Sequence, residues 1–183
     1  MVSDRAKALI KLAHTGLSCP SIPDVFPLGH DLAKSYALCI FGRLRQATRD
    51  LEHAKQCLEK LQKSVQADPA QIAQAPARGV VLATSVHHWQ EVGRAWRQHL
   101  SNGSHILPPW RLADSSRQTS KEVEEQLQAE LEAIETLLET NGLPMKKDTL
   151  DKVRKQLAGI SALVDLWWQT MRQDLTPMAM TPR

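Results

Sequence analysis

The stretch HDLAKSYALCIFGRLRQATRDLEHAKQCLEKLQKSVQ, residues 30–66, is the longest proline-free run with a single periodicity in the chain. It holds no proline, and Ile40, Leu44, Ala47, Leu51, Ala54, Leu58, Leu61 and Val65 follow one another at alternating steps of four and three. This is an unbroken heptad seam, the pattern that keeps one apolar stripe turned toward a partner helix. At about 1.5 Å per residue such a helix is on the order of 50 Å long, more than one compact globule needs to cover it. It therefore lies along another helix.

Downstream, Asp68 and Pro69 read as a turn followed by a proline in the first helical position, and Pro76 interrupts the segment after it, so residues 67–77 are expected to form a connector. Between residues 78 and 101 Leu82, Val86, Trp89, Val92, Trp96 and Leu100 mark one helical face, with Asn102 and Gly103 as the stop. An antiparallel return along the long helix is the natural fit. Residues 104–118 have two adjacent prolines and no periodicity, which makes them a loop.

Thr119 and Glu122 form a T-x-x-E capping box before Val123, Leu127, Leu131, Ile134 and Leu138, and Gly142 and Pro144 close that helix, expected over about 119–140. Asp148 can cap a last helix over about 148–174, along which Leu150, Val153, Leu157, Ile160, Val164, Trp167 and Met171 repeat the heptad spacing. The short link between these two helices predicts a helical hairpin. Upstream, Ser3 can cap a short helix over about 4–14, and three prolines between 17 and 29 leave a loop in which Ile22, Val25, Phe26 and Leu28 can supply a brief strand. The fold class read here is all-α: an elongated antiparallel helical bundle with two long heptad-patterned helices and little or no sheet. Residues 1–29 stand apart from a helical domain over 30–175, and 176–183 are a fraying tail.

Composition narrows the chemistry. An apolar content of 42% over 183 residues supports a real core, whereas a formal charge of +3 is too mild to mark a nucleic-acid binder by itself. Cys19, Cys39 and Cys57 share no metal-like spacing and are odd in number, so reduced thiols in a cytoplasmic protein are expected. No run reaches the roughly 20 apolar residues that cross a bilayer, so no membrane partner is expected. Phosphate-loop and dinucleotide-loop signatures are missing, which argues against a nucleotide or a bound cofactor, and no serine sits in a GxSxG elbow. His87 and His88 are adjacent on a helix, so they point about 100° apart and read as surface residues. Trp167 and Trp168 are also consecutive, so one can join the seam while the other faces outward or reaches a flanking helix.

Two basic groups are the candidates for DNA contact. Arg43, Arg45 and Arg49 lie on the long helix, and Lys146, Lys147, Lys152, Arg154 and Lys155 gather at the start of the last one. Cations there oppose the helix dipole, which a phosphate or an acidic neighbour relieves. The acidic neighbour is at hand, because Glu122, Glu124, Glu125, Glu130, Glu132, Glu135 and Glu139 crowd the preceding helix. The same glutamates offer a complementary pairing with the cations of the long helix, or else both are solvated faces whose ion pairs each contribute little.

VSDRAKALI at residues 2–10, PDVFPLGHDLAK at 23–34 and the long basic helix after them resemble the interior of a bacterial insertion-sequence transposase of the DDE, RNase H-like type. The resemblance implies that Asp4 is a metal-binding, catalytic carboxylate, that 24–31 holds the next core strand and its exit, and that 32–175 is largely the family's helical insertion. It also implies Mg2+ as the metal of the intact enzyme, since two-ion phosphoryl transfer needs several carboxylates around one spot. Only three residues precede Asp4 here. The expectation is therefore a truncated, transposase-related helical protein without catalysis of its own, derived from DNA transposition. The alternative is a stand-alone helical interaction protein that self-associates, or binds a partner helix, through its heptad faces.

Overall fold

A computed structural model describes residues 2–3, 22–23, 26–63, 69–111 and 113–175 of the chain. Four helices carry the architecture: α1 (Phe26–Lys63), α2 (Pro69–Ile106), α3 (Ser120–Thr140) and α4 (Lys147–Leu175). Two strands of two residues each, β1 (Val2–Ser3) and β2 (Ile22–Pro23), pair in parallel. The all-α expectation holds, with sheet confined to that pair among the described residues.

The helices pack as two hairpins. Tyr36 of α1 meets Trp96 of α2 edge-on at 5.8 Å between ring centroids, and the Arg97 guanidinium lies 4.8 Å from the centre of the Phe41 ring. Early α1 thus faces late α2, so the two run antiparallel. Gly93 permits the closeness of this crossing, because a Cβ there would come within 3.0 Å of Phe41 Cε1. On the other side Ser120 bonds to Asp165, Ser161 to Glu124 and Arg154 to Glu135, an antiparallel register for α3 and α4.

The core lies where the hairpins meet. Leu32, Tyr36 and Ile40 of α1 and Val92 and Trp96 of α2 are buried against Val123, Leu127, Leu131, Ile134 and Leu138 of α3. From α4 come Leu150, Val153, Leu157, Ile160 and Val164. Each such side chain contributes roughly 1.5–3 kcal/mol by leaving water. The apolar face expected for α3 is the buried face found. That of α4 is buried through Val164, while Trp167 and Met171 are only half-covered.

Local chemistry explains the ends. Thr119 accepts from the Glu122 N–H while the Glu122 carboxylate accepts from the Thr119 N–H, the complete capping box. Gly142 takes φ +59°, and the Leu143 N–H closes back on the Leu138 carbonyl at 2.9 Å.

Four expectations need correction. First, α1 starts at Phe26 rather than 30: Pro27 falls in the first turn, where a helix has no use for its missing donor, so Phe26 and Leu28 are helical, and among the described residues of that stretch Ile22–Pro23 is extended. Second, α2 starts at Pro69 and runs unbroken through Pro76, so the connector is far shorter than 67–77. Pro76 is exposed, and the carbonyl it deprives of a partner can turn to solvent. Third, α2 passes Asn102 and Gly103 and ends at Ile106, where the pair Pro108–Pro109 disfavours helix in the residue before it. Fourth, α4 begins at Lys147, so Asp148 sits inside its first turn rather than capping it. The helix read over 4–14 and the tail over 176–183 lie outside the described residues, and Ser3, read as its cap, is extended and paired with Pro23.

Residues 107–111 and 113–119 form a loop between α2 and α3. Trp110 and Arg117 bridge its limbs, and the buried Gln118 amide donates to the carbonyls of Ile106 and Pro108. Trp168 donates to the Gln118 carbonyl, Arg117 stacks over its ring, and Trp167 lies between Trp168 and Trp110. The tryptophan pair of α4 therefore holds the loop down.

Candidate functional site

Past the crossing at Trp96, α1 and α2 run on together as an arm. Over residues 48–63 of α1 and 70–91 of α2, no described side chain is buried. The seam residues Leu51, Leu58, Leu61, Leu82 and Val86 are half-covered, and Val80 and Val81 are 66% and 68% exposed. By helix geometry this arm reaches about 25 Å beyond the core. A heptad seam is present, and among the described residues one other helix, α2, lies along this part of it.

The basic candidates do not form one surface. The Tyr36 hydroxyl donates to the Lys146 carbonyl at 3.2 Å and accepts from its N–H at 3.1 Å, which fixes the α3–α4 link against early α1. Arg43, seven residues along α1, comes back to within about 20° of Tyr36 and about 10 Å farther up, on the side of Lys146 and Lys147. Arg45 and Arg49 come out on roughly the opposite side by the same rule. Of the α4 group, Lys152 pairs with Asp31 of α1, and Arg154 pairs with Glu135 of α3 and with Asp151. Lys155 is exposed on a stretch that also carries Asp148 and Asp151. The acidic-neighbour expectation thus accounts for Arg154. The complementary pairing of the α3 glutamates with the long helix is not formed: among the described residues their ion pairs run to α2, α3 itself, α4 and the loop, none to a Lys or Arg of α1.

Three carboxylates are held below their ordinary range. The Lys152 ammonium does this for Asp31, hydrogen bonds from Ser116 for Asp114, and the Thr119 N–H and hydroxyl for Glu122. Burial pushes the Tyr36 phenol up. All four belong to structural contacts.

Asp4 lies outside the described residues. Val2–Ser3 pairs in parallel with Ile22–Pro23. Among the described residues no three His, Cys, Asp or Glu side chains converge as a metal-ligand set. None of the helices found is long and apolar enough to cross a membrane. His87 and His88 are exposed, as their spacing indicated.

A feature the sequence did not announce lies between the four helices. A cavity of about 330 Å³ is lined mainly by apolar side chains, with His99, Gly103 and Glu130 among its walls. His99 Nδ1 and Glu130 Oε2 stand 2.7 Å apart, and Asn102 donates to Glu130 Oε1 at 2.9 Å. His99 and Asn102 share one side of α2 three residues apart, and that spacing beside an interior Glu was the signal available. Scans against family models, curated proteins and solved structures each find no match to the chain.

Proposed function

We propose that the chain is a helical interaction protein whose α1–α2 arm pairs with the arm of a second copy. The observation that carries this is the arm's length without a buried side chain. Two helices in contact cover only one flank of each, and a heptad-patterned pair gains most by laying its remaining apolar surface on another pair. The arm's charges suit a like partner: Arg49, Lys55 and Lys60 alternate with Asp50, Glu52 and Glu59 along α1, so a second copy finds both signs. The free thiols Cys39 and Cys57 fit a reducing, cytoplasmic setting. Sedimentation velocity across micromolar concentrations is the test. A dimer is expected, and the double change Val80→Glu with Val81→Glu should return it to monomer at unchanged helicity. A wild-type chain that stays strictly monomeric overturns the reading.

The parallel pairing of β1 and β2 favours a second reading, descent from a transposase core. In the family the chain resembles, a metal-binding Asp stands at the end of a core strand, and here Asp4 follows Val2–Ser3, one strand of that pair, in sequence. On this reading the chain lacks catalysis of its own, and Arg43, Lys146 and Lys147 keep a residual affinity for DNA. Calorimetry with Mg2+ or Mn2+ should give no binding heat that depends on Asp4; a signal lost in Asp4→Asn would restore the catalytic assignment. DNA binding that neither weakens with salt nor changes when Arg43, Lys146 and Lys147 become Ala removes the DNA role.

A further inference from the structure

We infer that the cavity between the four helices is a binding site for a small apolar molecule carrying one hydrogen-bond-donating head, a hydroxyl group. Its volume of about 330 Å³ lies at the lower end of the range in which proteins enclose small ligands. Its floor is aliphatic, with Leu131, Leu157 and Ile160 buried around it, and an apolar cavity of this kind holds hydrocarbon better than water.

The polar groups select the head. A carboxylate only accepts, so His99 Nδ1 is the donor in its contact with Glu130. Glu130 takes one bond from His99 and one from Asn102, and each carboxylate oxygen keeps a lone pair for a further donor. A ligand head arriving there meets the Glu130 carboxylate, with His30 and Ser104 also on the wall. A hydroxyl can donate to Glu130 and accept from its other neighbours, whereas a carboxylate head has no proton to offer Glu130.

Gly103 supplies the means of testing this without disturbing the fold. It lines the cavity, and a Cβ built on it meets nothing within 4 Å. Gly103→Leu therefore puts a side chain into open space and improves helix propensity. Titration calorimetry of the full chain with 1-octanol should show one saturable site, with octanoate bound at least tenfold more weakly. In Gly103→Leu the octanol affinity should fall at least tenfold while the melting temperature holds or rises. In Glu130→Gln, which keeps the acceptor and removes the charge, the preference for octanol over octanoate should shrink toward parity. Absence of saturable octanol binding, or binding untouched by Gly103→Leu, overturns the site. Equal affinity for the two probes in the wild-type chain, or a preference unchanged in Glu130→Gln, overturns the head assignment.

Discussion

Tyr36 shows how much a single side chain can join. Its ring is buried edge-on to Trp96, and its hydroxyl both donates to and accepts from the backbone of Lys146. One residue thus ties α1 to α2 and to the α3–α4 link. Tyr36→Phe keeps the ring and leaves the Lys146 N–H without its partner, so a loss of about 1 kcal/mol is expected in urea denaturation. A variant as stable as the parent would show that water replaces the hydroxyl. Protonation acts at the same scale. Asp31, Asp114 and Glu122 have lowered folded-state pKa values, so what they contribute is present above the ordinary carboxylate range and is lost as pH falls through the folded values. Melting temperature should therefore drop below about pH 4. Glu122→Gln should flatten that drop, and an unchanged acid slope would mean the capping charge is not what titrates. Tyr36 has the opposite sign: its raised pKa means its contribution holds below about pH 10 and fades as alkali ionises it.

At the scale of the element, the helices divide by what terminated them. For α3 the start signal, the apolar face and the stop agreed in the sequence, because Thr119, Glu122 and Gly142 act through their own local bonds. For α1 and α2 the sequence misplaced ends at Phe26, Pro69 and Ile106, because proline and glycine state a local preference that neighbouring helices can outweigh. Pro76 is the clearest instance. It forfeits a backbone bond inside α2, yet α2 continues because α1 lies along it. Pro76→Ala should then raise stability by about 3 kcal/mol or less and sharpen the thermal transition, a change calorimetry can read. A lower melting temperature would mean that the proline's rigidity in the unfolded chain matters more.

Across the whole molecule, covering is uneven. The core is a four-helix meeting at one end, and the arm is two helices at the other. Hydrogen exchange should mirror this, with slow amides around Trp96, Leu131 and Leu157 and progressively faster ones toward Lys63 and Ala70. Uniform protection along the arm at micromolar concentration would be the mark of a partner. The heptad seam was legible in the sequence because its period is local to one helix. The cavity was not, since Leu32, Leu100, Leu131 and Leu157 each look like ordinary core positions, and the space between them depends on how four helices settle together. Asp4 and the resemblance around it stayed at the level of sequence.

The tryptophans add a last consequence. Trp110, Trp167 and Trp168 stand edge to face in a row, with Arg117 over the last ring, so the loop and α4 share one coupled chromophore. Lifting the loop from α4 separates those rings while Trp96 stays enclosed among the helices. Near-ultraviolet dichroism would lose the exciton contribution of the row before it loses the signal of the interior indole, so the chain carries its own optical record of which end lets go first.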